Sequence, residues 1–426
     1  MISKEPHTTF TLDNGMRVIH IPTHSNVAYC GMAIDAGTRD ERADEQGIAH
    51  FCEHILFKGT RKRKAWHILN RMDSVGGDLN AYTNKEEIMV YAAFMKEHLD
   101  RAVELLADIV FNSTFPQHEI NKEREVIIEE IKSYKDSPAE LIFDEFEDII
   151  FAHHPLGHGI LGEPDAVRHF ASEDAFRFSQ RLFVPENTVF FVAGKYAPER
   201  VINTIKKHCA HLTSEVEDSL FRDGDTRGSV LHGNKWRLPL SDYFPQKITH
   251  HKKTHQAHVM IGCRAYPAND PKRIALYFLN NLIAGPGMNS ILNLALREHT
   301  GLVYTVESAL TNYTDTGTFS VYFGCEKQDV EKCTDIIMNE FRQLAETPLS
   351  SRRIQSALKQ ITGQIGVACD NMENYSLDTA KAFLHYNRFE GINDTLRHLR
   401  TLTPEQLQQV AGELFREDHL SMLIYR

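Results

Sequence analysis

Between Gly47 and Phe57 the sequence reads GIAHFCEHILF, and its centre, His50-Phe51-Cys52-Glu53-His54, is an H-x-x-E-H pattern. Ile48, Phe51, Ile55, Leu56 and Phe57 surround it with apolar side chains and no proline or interior glycine, which predicts a helix. Residues four apart on a helix lie one turn above the other, so His50 and His54 aim their rings at one point. Glu53 leans over the same point. Two imidazoles sharing a target suit a divalent ion, most often zinc, and a carboxylate beside them suits a general base acting on water. A chain with 23 histidines will also place two of them four apart by chance. Burial separates the two readings: a glutamate in an apolar helix is costly without a partner, and a metal ion would be that partner. Cys52 points away from the histidine face and reads as core.

The 426 residues are enough for two or three domains. A net charge of -11 argues against nucleic acid as a partner. No apolar run approaches the length of a membrane span, and Met1-Ile2-Ser3-Lys4-Glu5-Pro6 lacks the apolar centre of a signal peptide. The 7 cysteines are scattered with no C-x-x-C pair, as expected of reduced thiols in a cytoplasmic protein.

Residues 8–35 alternate as strands, with Asn14-Gly15 as a hairpin turn. A charged loop at 38–45 precedes the motif helix, and 58–64 reads as a solvated basic turn. A helix from Ala65 ends at Gly76-Gly77, followed by a strand at 78–83 and its partner at 87–94. Helices are predicted at 98–112, 120–134 and 138–151. In the second of these Val126, Ile127, Ile128 and Ile131 form the expected buried stripe. Glu123 and Glu130, seven apart, share one face, and Glu130 is the candidate half-buried carboxylate; Glu125 and Glu129 read as solvated. The histidines of the 153–158 loop are interrupted by Pro155 and Gly157 and are not expected to hold metal.

A polar stretch at 213–230 marks a boundary. Beyond it the rhythm repeats: a strand at 258–264, a helix at 271–284, a break at 285–290 and a helix ending near Glu298. A hairpin of strands 303–312 and 318–325, helices at 330–346 and from 352 onward, and a last strand at 422–425 complete it. The expected fold is α+β, with two similar domains, each a mixed, mostly antiparallel sheet packed with helices. Residues 1–213 form the metal-binding domain, 214–235 a linker, and 236–426 a second domain without H-x-x-E-H and so without metal ligands. The 250–255 segment reads as solvated.

Taken together these motifs resemble the pitrilysin, insulin-degrading enzyme and mitochondrial processing peptidase family of zinc peptidases, and the short bacterial members in particular, along nearly the whole chain. The resemblance implies that each chain is half of a clamshell enclosing a chamber. It implies that His50 and His54 bind zinc and that Glu53 is the base. Within Glu123-Arg124-Glu125-Val126-Ile127-Ile128-Glu129-Glu130, Glu130 falls on the third zinc ligand and Glu123 on a supporting carboxylate. Asn80, Ala81, Tyr82 and Thr83 match the edge strand to which an extended peptide adds, a mode that reads backbone more than side chains. His154-Pro155-Leu156-Gly157 matches a downstream loop. Arg297 and Tyr304 match a pair that reaches the scissile carbonyl. Gly285-Pro286-Gly287-Met288-Asn289-Ser290 is similar to a glycine-rich loop but has Pro286 where glycine is usual.

The expectation is therefore a zinc-dependent endopeptidase with one Zn2+ per chain, acting on peptides or small unfolded polypeptides. Because ligands and the Arg/Tyr pair occur in one chain, a homodimer is expected in which Arg297 and Tyr304 act in trans. The alternatives are a non-catalytic peptide-binding or scaffold subunit of the same fold and a protein with purely structural zinc, which chelation would unfold.

Overall fold

The computed structural model describes residues 7–213 and 237–426. The first half contains β1 (Thr8–Thr11), β2 (Arg17–Pro22), β3 (Val27–Ile34), α1 (Ile48–Leu56), α2 (Ala65–Asp73), β4 (Asp78–Thr83) and β5 (Ile88–Met95). There follow α3 (Leu99–Phe111), α4 (Gln117–Lys135), α5 (Pro138–Ile150), α6 (Pro164–His169), α7 (Ser172–Leu182), β6 (Thr188–Gly194) and α8 (Pro198–Cys209). The second half contains β7 (Lys247–His250), β8 (Ala257–Ala265), α9 (Lys272–Ala284), a short π-helical segment (Asn293–Glu298), β9 (Val303–Asn312) and β10 (Gly317–Cys325). It ends with α10 (Val330–Glu346), α11 (Ser351–Ala368), α12 (Met372–Tyr386), α13 (Ile392–Arg400), α14 (Pro404–Leu414) and β11 (Ser421–Tyr425).

The strands form two sheets, β1-β2-β6-β3-β5-β4 and β7-β11-β8-β10-β9. In the first, β2 and β6 run parallel and the other neighbours antiparallel. In the second, β7 and β11 run parallel and the rest antiparallel. Leaving out β1, the two sheets have the same order and the same directions, so the expected α+β architecture with two similar, mostly antiparallel domains holds. The Asn14-Gly15 turn closes the β1–β2 hairpin, with Gly15 in the left-handed region at φ 86°. β7 lies at the margin of the segment read from sequence as solvated, and its four residues give too little alternation to betray a strand.

The division into compact units differs from the expected boundary at 213. One unit joins residues 1–132, 159–239 and 367–389; the other joins 133–158, 240–366 and 390–426. Each unit thus takes a helix from the other half of the sequence. In the first, Leu377, Ala380, Phe383 and Leu384 of α12 pack on Ile19, Ile21, Met89, Val189 and Phe191 of the sheet. In the second, Ile142, Phe146 and Ile150 of α5 pack on Met260, Tyr322, Leu423 and Tyr425. The cause is burial on both faces: every residue of β2, β6 and β10 is buried, so each sheet needs a covering layer on either side. On its other face the first sheet packs against α1 and α3 through Phe51, Ile55, Leu106 and Ile109. Each fully buried side chain of this size contributes roughly 1.5–3 kcal/mol. The expected linker at 214–235 lies outside the described residues.

The charged 38–45 segment turns several of its charged side chains inward. Arg39, Asp40, Glu41 and Glu45 are buried. Arg237 donates to Asp35, Asp40 and Glu86, and Arg39 also donates to Glu86, at 2.7–2.9 Å. Among the described residues no helix is long and apolar enough to cross a membrane.

Candidate active site

Helix α1 forms where the sequence places it, and its two faces divide the labour. Ile48, Phe51, Cys52, Ile55 and Leu56 are fully buried, and Phe51 meets Phe170 edge-on with ring centroids 5.3 Å apart. The N-terminus is held by the Glu41 carboxylate, which accepts from the backbone N–H of Gly47 at 2.9 Å and of Ala49 at 2.8 Å. This satisfies donors that a helix start leaves free. Gly47 has φ 95°, and a Cβ on it would meet the Gly162 Cα at 2.9 Å, so only glycine fits there.

On the opposite face His50 and His54 stand with ring centroids 4.6 Å apart. Helix α4 brings Glu130 to them. Its carboxylate oxygens lie 3.8 Å from His50 Nε2 and 3.4 Å from His54 Nε2. One ligand atom from each of the three residues lies within 4.8 Å of the others, as one metal ion requires. Glu123 and Glu130 do share a face of α4, on either side of the fully buried Ile127. Val126, expected in the buried stripe, is 52% exposed, and Ile120 takes its place inside.

Three contacts support this cluster, the part played by Glu123 being the one that the resemblance implied. Glu123 Oε1 accepts from His54 Nδ1 at 3.0 Å, while Lys58 Nζ donates to Glu123 Oε2 at 2.7 Å. Lys58 belongs to the turn read as solvated, and the structure corrects that reading for this residue. The Thr83 hydroxyl donates to Glu53 Oε2 at 2.6 Å. The spacing of His54 and Lys58, four apart and both within reach of one acidic helix face, was the available signal for the first contact.

The electrostatics ask for a cation. Burial, reinforced by His54, pushes the His50 pKa down to about 4. Burial also opposes charge on His54, but hydrogen bonds to Glu123 and Glu130 outweigh it and push its pKa up to about 9. Burial raises the Glu53 pKa against the opposing Thr83 hydrogen bond. The hydrogen bond from His54 lowers that of Glu130. Burial works against the Glu123 charge, yet His54 and Lys58 hold its carboxyl below the usual range. Three carboxylates thus stand near two imidazoles, an arrangement that favours positive charge between them. Two imidazole nitrogens and a carboxylate oxygen form a donor set that fits zinc, which would supply that charge with both histidines neutral.

The strand β4 is an edge of its sheet, hydrogen-bonded to β5 alone. Leu79 and Ala81 turn towards the core beside α1, and Thr83 follows them to Glu53. Asn80 and Tyr82 point to the other face, where Tyr82 meets Tyr91. Arg297 and Tyr304 belong to the second unit, where they pair with each other: the Arg297 guanidinium lies 5.4 Å from the Tyr304 ring centroid, and Tyr304 is 79% exposed. His154 of the downstream loop is buried and its Nδ1 accepts from the Leu156 N–H.

Comparison with known proteins gives a consistent picture. Residues 17–164 match the insulinase model of peptidase family M16, and residues 169–361 match the model of the M16 inactive domain. A Bacillus subtilis protein named an uncharacterized zinc protease is 29% identical over 97% of both chains. A Mycobacterium leprae protein of the same description is 30% identical over 96% of this chain and 89% of its own. The crystal structure of a protease from Helicobacter pylori superposes with a TM-score of 0.90 at 21% identity, covering 99% of each chain. That of a putative M16-like peptidase from Alicyclobacillus acidocaldarius gives 0.83 at 20% identity, covering 100% of this chain and 99% of its own. With both halves matched in tandem by models of one family, and relatives matched over nearly their whole length, the chain belongs to peptidase family M16, the insulinase family.

Proposed function

We propose that this protein is a zinc-dependent endopeptidase of the cytoplasm that hydrolyses extended peptides. The observation that carries the reading is the convergence of His50, His54 and Glu130 on one point. The relatives named zinc proteases support it. The 7 cysteines, all free, support the compartment.

His50, His54 and Glu130 would hold the ion, which when bound supplies a Lewis acid for the scissile carbonyl and for a water. Glu53 takes the proton from the attacking water and returns it to the leaving amine. Its carboxylate cannot swing freely, because Thr83 holds one oxygen. A substrate strand would pair with the open edge of β4 at Asn80–Thr83, which places its backbone beside Glu53. In a homodimer, Arg297 and Tyr304 of one protomer would donate hydrogen bonds to the oxyanion formed in its partner's site; losing such a donor typically costs about 10²–10³ in rate.

The test is cleavage of an internally quenched peptide by purified protein together with its zinc content. Both are expected, and a chelator should abolish both without unfolding the chain. A protein that binds the peptide and never cleaves it, with zinc present, would be a binding subunit instead.

A further inference from the structure

We propose that Lys58 is a positioning residue for the metal centre, acting through Glu123 to fix the orientation of His54. The proposal rests on the zinc reading above. The contacts form an unbroken line: Lys58 Nζ lies 2.7 Å from Glu123 Oε2, and Glu123 Oε1 lies 3.0 Å from His54 Nδ1. Both oxygens of the carboxylate are engaged, so it cannot rotate away from the imidazole. With Nδ1 committed as the donor, a neutral His54 would present Nε2, which faces Glu130, as its ligand atom. His50 has no such support, since its Nδ1 is buried without a hydrogen-bond partner. Of the two imidazoles, only His54 has its far nitrogen fixed by a carboxylate, and Lys58 secures that carboxylate.

The same contacts join two helices. His54 lies in the last turn of α1 and Lys58 follows just after its end, four residues on. Both grip one residue of α4, the helix that also delivers Glu130. Lys58 therefore sets the spacing between the two sources of ligands. A simpler view treats Lys58 as a nearby cation that repels zinc. The two views differ in sign. Repulsion predicts tighter zinc binding when the charge is removed, and positioning predicts weaker binding. The salt bridge to Glu123 neutralises the Lys58 charge locally, so positioning should prevail. Losing an outer partner of a metal-bound histidine typically costs about 10–100-fold in affinity.

The experiment measures zinc affinity by competition with a chelating dye on the full chain. Lys58→Met should weaken binding about tenfold, and Lys58→Arg should recover most of the loss. In a Glu123→Gln background Lys58→Met should cost nothing further, because the path it acts through is already cut. Unchanged or tighter binding in Lys58→Met overturns the proposal, as does an equal loss in both backgrounds. If the wild-type protein takes up no zinc, the zinc reading fails and the proposal falls with it. If wild type binds and Lys58→Met binds equally well, the proposal alone fails. Circular dichroism of each metal-free variant confirms that the comparison is between folded proteins.

Discussion

The hydroxyl of Thr83 donates to Glu53 at 2.6 Å, joining the end of an edge strand to the candidate base on α1. Thr83→Val removes the donor while keeping the shape of the side chain. Zinc should remain bound, and kcat for a quenched peptide should fall about tenfold as Glu53 loses its fixed position. Thr83→Ser should recover most of the activity. Full activity in Thr83→Val would show that Glu53 needs no such support.

Glu53→Gln keeps the volume and removes the base. Turnover should fall by about 10²–10⁴ with zinc content unchanged, measured on the same preparation. Retained peptidase activity in the zinc-loaded variant would exclude Glu53 as the base.

Arg297→Ala/Tyr304→Phe and Glu53→Gln each disable a different part of the proposed composite site. Mixed after subunit exchange, the two inactive variants should regain activity approaching about a quarter of wild type if the site is completed in trans, since random pairing makes half the dimers mixed and each of those has one intact site of two. Mixed dimers that form but stay inactive would rule out that completion.

The start of α1 depends on Gly47. Gly47→Ala places a side chain at φ 95° and 2.9 Å from the Gly162 Cα. It should lower stability by about 1–3 kcal/mol, seen as a drop in Tm, and weaken zinc binding by shifting the histidines. An unchanged Tm would mean that the turn can rearrange.

Helix α12 is pinned to its adopted sheet by a buried charge cluster, and this predicts a pH dependence. Lys381 Nζ and His385 Nε2 lie 2.7 and 3.2 Å from the two oxygens of Glu87. Burial opposes the Glu87 charge, but Lys381 and His385 hold its carboxyl well below the usual range. Burial also opposes charge on His385, which hydrogen bonding to Glu87 and the nearby Asp35 raise above its ordinary 6.5. The depressed glutamate contributes stability above its ordinary 4.5 and loses it as pH falls towards its folded value. The raised histidine contributes stability below 6.5 and loses it as pH rises through its folded value. The cluster is therefore strongest between those two values, and Tm should decline on the alkaline side. His385→Gln should flatten that decline. An identical alkaline decline in the variant would assign it to other groups.

Much of this protein is legible in its sequence. Helix α1 showed itself by a single apolar stripe opposite three polar residues. Strand β4 and the seven-residue spacing of Glu123 and Glu130 were visible in the same way, because all three depend on local periodicity. The exchange of α5 and α12 was not visible. Each helix is ordinary in its amphipathic pattern, and nothing local says which sheet it will cover when both sheets need a second layer. Lys58 was read as solvated, and the burial of the 38–45 charges was not seen, for a related reason: their partners, such as Glu123 and Arg237, come from distant parts of the chain. Thr83 was legible as part of a strand, but its bond to Glu53 depends on how that strand packs against α1.

The most direct test of the account is zinc stoichiometry in the wild-type protein and in Glu130→Gln, with circular dichroism on both. One zinc per chain is expected in the wild type, with a large loss in a folded Glu130→Gln variant. A wild-type protein with no affinity for zinc, or a Glu130→Gln variant that binds it as tightly, would contradict it.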